Sequence, residues 1–157
     1  MSFDFTFRNL SVSIRVHLWL NSPATMDSKK LALLCRDLAD NKKAENIAVL
    51  DVRKLSSVTD YFVIATGTSQ PHLRAIAEEI TSRLRDEHDL RPVRLEGAMT
   101  DVWMVLDYFD VIVHVMNTET RARYDLEGLW GDAAPVRPKK KTTRPKLKTT
   151  KPQRGKK

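Results

Sequence analysis

A chain of 157 residues has room for one domain plus extensions, and a hydrophobic fraction of 41% is enough for one globular core. Its single cysteine, Cys35, allows neither an internal disulfide nor a cysteine metal cluster; His17, His72, His88 and His114 lack ligand spacing; and no apolar run approaches the roughly 18 residues of a membrane span. The net charge of +7 conceals a split, because residues 137–157 hold eleven Lys or Arg and no acid, which leaves sixteen basic and twenty acidic residues in 1–136, a body near −4. This composition reads as a soluble, intracellular protein, and nothing in it calls for a cofactor or a metal.

In residues 1–25, Val12, Ile14, Val16, Leu18 and Leu20 alternate with Ser, Arg, His and Trp in the manner of a strand. There is no continuous apolar core, which argues against a secretory signal. The scarcity of acid, with Arg8 and Arg15, leaves a transit peptide open, and a third reading starts translation at Met26. A helix is expected from Asp27, with Asp27 or Ser28 as its cap and Leu31, Leu34, Cys35 and Leu38 as one apolar stripe. Cys35 lies on that stripe and so reads as packed rather than reactive. Lys42 and Lys43 suit the negative end of the helix dipole. Strands are expected over 47–52 and 60–66, joined by a polar turn.

Gly67-Thr68-Ser69 then opens a helix to about 88, with Thr68 or Ser69 as cap and Leu73, Ile76, Ala77, Ile80 and Leu84 facing inward. A glycine turn before a helix N-terminus can hold an anion. The Gly-Lys-Ser/Thr element of a P-loop is absent, however, and a plain strand-to-helix turn accounts for the same residues. Arg91-Pro92 breaks the chain before a short strand at 93–95. Two apolar runs, 102–106 and 111–116, flank Asp107-Tyr108-Phe109-Asp110 and read as a hairpin. With Tyr108-Phe109 as the loop, Asp107 would face Asp110, Val105 would face Ile112 and Trp103 would face His114. Those six share one face; Val102, Met104, Leu106, Val111, Val113 and Val115 make the other wholly apolar. Directly opposed carboxylates would cost about 0.2–1 kcal/mol, which a basic partner would relieve; two solvated turn aspartates, common at hairpin ends, are the plainer explanation. A last helix is expected over 118–130, with Glu119–Arg123 and Arg121–Asp125 pairs. The fold expected is α/β, a mixed sheet of about five strands with helices mainly on its apolar face. Residues 1–25 are an extension, 26–134 the domain, and 135–157 a disordered tail rich in Lys, Pro and Thr.

Several linked segments resemble the ribosomal silencing factor (Iojap-like) family. They are Asp51-Val52, Ser57-Val58-Thr59-Asp60-Tyr61-Phe62-Val63-Ile64, Thr66-Gly67-Thr68-Ser69, Glu96-Gly97, Trp103, Leu106-Asp107-Tyr108, Asp110-Val111-Ile112-Val113-His114, and Arg123-Tyr124-Asp125-Leu126-Glu127-Gly128-Leu129-Trp130. The resemblance runs in one order from about Asp27 to Ala133 and has no part like 1–25. It implies a nucleotidyltransferase-like fold and a non-enzymatic factor that binds large-subunit ribosomal protein L-fourteen, blocks subunit joining and represses translation. It also implies a homodimer; organelle relatives act in large-subunit assembly. One departure is Phe109, where the family often has glycine.

Three functions compete on these residues. A ribosome anti-association factor would use the hairpin face, with Trp103 as anchor, Glu96, Asp107 and Asp110 for basic groups on the partner, and His114, Arg121 and Tyr124 beside them. Trp103 and Tyr124 could equally pack beneath the last helix. A metal-dependent nucleotidyltransferase would need two close carboxylates, and no Asp-x-Asp occurs in the chain. A tail-driven binder would place Lys139, Lys140, Lys141, Arg144, Lys146 and Lys148 on RNA phosphates, which is compatible with the first reading.

Overall fold

The computed structural model describes residues 26–97 and 102–138; the expectations for 1–25, for 98–101 and for the tail beyond 138 lie outside the described residues. The elements run α1 (Ser28–Asn41), β1 (Glu45–Asp51), β2 (Tyr61–Thr66), α2 (Gln70–His88), β3 (Arg94–Glu96), β4 (Trp103–Asp107), β5 (Val111–Met116), α3 (Thr118–Tyr124), α4 (Leu126–Leu129) and β6 (Ala134–Pro135).

Local chemistry places the two long helices. The Asp27 carboxylate accepts the Lys30 N–H at 3.3 Å and starts α1. Ser69 caps α2, and Pro71 sits in its first turn, where a missing N–H costs nothing. Asp89 ends α2 in the left-handed region at φ +52°. The stripe Leu73, Ile76, Ala77, Ile80 and Leu84 is buried as its spacing requires; on α1 Leu31, Cys35 and Leu38 are buried and Leu34 partly so. Both helices pack on the apolar sheet face, against Tyr61, Val63, Ala65, Met104, Leu106, Val111, Val113 and Val115. Each large side chain removed from water there contributes about 1.5–3 kcal/mol.

The sheet is mixed, in the order β3-β4-β5-β2-β1-β6. Its central pair, β2 with β5, is parallel, with Tyr61 beside Val111 and Thr66 beside Met116; the remaining neighbours are antiparallel. A parallel pair needs a long crossover, which α2, β3 and β4 supply. Of that pair, β2 is covered on both faces and β5 fully on one and partly on the other, and both read as apolar runs.

Three features differ from the sequence expectation. First, there is a sixth strand. Leu50 pairs with Pro135, the Val136 N–H donates to the Val49 carbonyl at 2.8 Å, and Val136 packs on the core, so the body continues past 134. Two residues are too few to show a period. Second, the last helix is two helices. Asp125 adopts φ +38°, and its carboxylate then caps α4 by accepting the Gly128 N–H at 3.1 Å. A Cβ on Gly128 would lie 2.1 Å from that carboxylate. The Arg121–Asp125 pair is replaced by Arg121 with Glu127.

Third, the hairpin register is shifted by two. Asp107 pairs with Ile112, Val105 with His114 and Trp103 with Met116. Tyr108 directly follows the last strand residue, Asp107; its N–H still donates to the Val111 carbonyl at 2.9 Å, and Phe109-Asp110 lie between them in the turn. Tyr108 is buried in the core, which holds it opposite Val111 and keeps it out of the turn. Phe109 takes φ +65°, and the Asp110 N–H closes a γ-turn on the Tyr108 carbonyl at 2.9 Å. A shift of two preserves parity, so the expected faces of residues 103–107 and 111–115 stand, whereas Val102, expected in the core, is 44% exposed and Asp110 lies in the turn. The opposition of Asp107 and Asp110 does not stand: the two carboxylates are not cross-strand neighbours, and no pairing penalty exists.

Candidate functional site

The second sheet face carries a row of five rings. Trp130 lies 5.2 Å from Phe62, Phe62 5.3 Å from His114, His114 5.8 Å from Trp103, and Trp103 4.8 Å from Tyr124, measured between ring centres. Strand alternation supplies Phe62, His114 and Trp103; α3 and α4 bring Tyr124 and Trp130 over them. The Trp103 indole N–H donates to His114 Nδ1 at 3.2 Å, which requires that nitrogen to be unprotonated. Burial pushes the His114 pKa down to about 4. His114 is therefore a neutral acceptor that orients Trp103, and it is not poised for acid–base work near pH 7.

The C-terminal helices cover this face unevenly. Leu126, Trp130 and Ala133 close over Leu50, Val52 and Ile64 on the β1–β2 side. Over β4 and β5, Trp103, Val105, Asp107 and Ile112 stay half-exposed. Beside them, between β3–β4 and α3, lies an open cleft of about 530 Å³ whose walls include Glu96, Trp103, Val105, Glu119, Arg123 and Tyr124. Gly97 makes the close approach of β3 to β4 possible: at φ +81°, a Cβ there would stand 1.9 Å from the Trp103 carbonyl.

The sequence candidates separate into groups. Glu96, Trp103 and Tyr124 meet at the cleft, with His114 beneath Trp103. Asp107 lies on the same face at its far end, where its carboxylate accepts the Phe109 N–H at 2.9 Å and holds the turn. Asp110 sits in that turn, exposed, and its carbonyl accepts the Asp60 and Tyr61 N–H groups, both at 3.0 Å. Arg121 turns inward. It donates to Thr66 Oγ1 at 2.6 Å and to Glu127 Oε1 through Nε at 3.0 Å and through a terminal nitrogen, and its side chain is only 14% exposed. It ties α3 and α4 to the end of β2 rather than facing the cleft. Lys139, Lys140, Lys141, Arg144, Lys146 and Lys148 lie outside the described residues. Sequence reasoning passed over Glu119 and Arg123 as cleft residues, although their spacing from Tyr124 and Trp103 carries no signal until α3 is docked.

Two other features are closed. His72 Nδ1 accepts the Thr68 N–H at 3.1 Å, and its other nitrogen meets the Lys42 carbonyl at 2.8 Å. The start of α2 is thereby occupied by the chain's own groups, and Gly67 serves packing, since a Cβ there would stand 2.7 Å from the Leu73 side chain. Cys35 is buried and its thiol is pushed up to about 12, so it stays protonated. Among the described residues, no three His, Cys, Asp or Glu side chains converge as a metal site requires, and no helix is long and apolar enough to cross a membrane.

The chain as a whole is similar to known proteins. A family model described as "Ribosomal silencing factor during starvation" matches residues 25–157, tail included. The chain is 38% identical over 111 residues to the ribosomal silencing factor RsfS of Halalkalibacterium halodurans, covering 71% of this chain and 94% of that one. It is 39% identical over 108 residues to the Bacillus subtilis protein of the same name, covering 69% and 91%. A crystal structure of a Chromobacterium violaceum protein superposes with a TM-score of 0.65 at 32% identity, over 68% of this chain and 88% of that one.

Proposed function

Since the chain belongs to the ribosomal silencing factor family, we propose that it acts without catalysis, in the cytoplasm, by binding the large ribosomal subunit through ribosomal protein L-fourteen. Bound there, it blocks subunit joining and represses translation. The observation that carries this reading is the uncovered half of the second sheet face. Trp103, Val105 and Ile112 are left half-exposed although α3 and α4 close the rest of that face. A tryptophan held in place by its neighbours, beside an open cleft, is the arrangement from which binding hot spots are drawn. Glu96 and Glu119 beside it, with Asp107 at the far end of the same face, supply acid for a basic partner. The basic tail adds contacts to ribosomal RNA phosphates, independent of sequence. Homodimerisation is part of the same proposal.

The experiment is sedimentation of the protein with ribosomal subunits. Co-migration with free large subunits and exclusion from joined ribosomes is the expected result. Migration with joined ribosomes, or with neither subunit, would sink the reading. Equal loss of subunit joining with and without Trp103 would place the docking face elsewhere.

A further inference from the structure

We propose that the end of the sheet opposite the Trp103 cleft is a docking surface for the chain's own N-terminal segment, residues 12–20. Four large apolar side chains stand exposed at that end: Val58 at 78%, Phe109 at 65%, Val93 at 56% and Leu55 at 44%. Backbone hydrogen bonds bring the segments that carry them together. The Asp60 and Tyr61 N–H groups, just after Val58, donate to Asp110 next to Phe109, and the Val93 N–H donates to Asp107 at 2.7 Å. Phe109 is also held at φ +65°, where a side chain other than glycine is strained. An exposed phenylalanine in that conformation contributes nothing visible to the fold itself, and strain of this kind gathers where a surface is used.

The occupant follows from where the chain enters. Ser28 Oγ donates to Asp60 Oδ2 at 2.8 Å, so α1 begins two residues from Val58. The first described residues, beside Ser28, therefore lie at the rim of this patch. Residues 12–20 present Val12, Ile14, Val16, Leu18 and Leu20 on one side of an extended chain. Nine extended residues span about 30 Å, and a sheet of six strands is about 24 Å across, so the segment is long enough to cross the whole end. Docked there, it leaves the Trp103 cleft open.

Trypsin cleavage of the full chain after Arg15 tests this. In the intact protein cleavage should be at least ten-fold slower than in a free peptide of residues 1–25. Val58→Ser with Phe109→Ser should restore the free-peptide rate without lowering the melting temperature of the body. Val12→Ser with Leu18→Ser, which leaves the body untouched, should do the same against its own free peptide. Free-peptide rates in the unaltered protein would overturn the proposal. So would protection that vanishes on dilution, which assigns the patch to a second copy, or protection that appears only when large subunits are added, which assigns it to the ribosome.

Discussion

At Trp103 packing and exposure compete within one side chain. It donates to His114, stacks on Tyr124 and still forms a cleft wall. Trp103→Ala should therefore weaken large-subunit binding by about 2 kcal/mol or more and also lower the melting temperature. Val105→Arg separates the two effects, because Val105 is half-exposed on the same face: affinity should fall while melting changes little. Equal affinity for Val105→Arg and the parent would remove the β4–β5 surface from the interface. His114 makes a second prediction. Its native pKa lies near 4, below the ordinary 6.5, so the unfolded chain binds the proton more readily. The stability it contributes is present above about pH 6.5 and is lost as pH falls toward 4, up to about 3 kcal/mol. Melting curves across that range should be flatter for His114→Gln; parallel curves would show that His114 does not titrate with folding. At the hairpin tip, Phe109→Gly should raise stability by about 0.5–1 kcal/mol by relieving the positive φ. Changing Asp107 and Asp110 together to Asn should bring no such gain, because the carboxylates do not face each other.

Among the elements, the α3–α4 corner decides how much of the second face is covered. Asp125 ends one helix and caps the next, while Arg121 bonds both Thr66 on β2 and Glu127 on α4. Asparagine tolerates the left-handed conformation and caps well, so Asp125→Asn should be nearly neutral, whereas Asp125→Ala should cost about 1–2 kcal/mol. Arg121→Ala should cost about 1–2 kcal/mol, since it leaves the buried Thr66 hydroxyl and the one-third exposed Glu127 carboxylate without their partner. Large-subunit affinity of the folded Arg121→Ala protein should be close to that of the parent. A selective loss of affinity at unchanged melting would instead place Arg121 in the interface.

For the whole molecule, charge separates the tail from the body. Deleting 139–157 should leave melting unchanged and weaken large-subunit binding mainly at low salt, with a shallower dependence of affinity on salt concentration. An unchanged salt slope would show that the tail does not touch RNA. Deleting from 134 onward should lower melting, because Pro135 pairs with Leu50 and Val136 packs on the core.

The sequence by itself determined what depends on short-range period and capping. The α2 stripe from Leu73 to Leu84, the two helix caps to within one residue, the β2 and β5 runs and the in-or-out parity of the hairpin strands were legible, because each is set by neighbours within a turn of helix or two residues of strand. Tertiary structure decided the rest. Burial of Tyr108, not turn chemistry, moved the hairpin register by two. The need to lay Leu126 and Trp130 on Ile64 and Phe62 broke the last helix at Asp125. Arg121, which looked free to meet a partner, became a strut only because docking α3 brought it to Thr66, fifty-five positions earlier in the chain. Contacts of that range leave no periodic trace, so Glu119 and Arg123 could join Trp103 at one cleft without any spacing in the sequence to announce it.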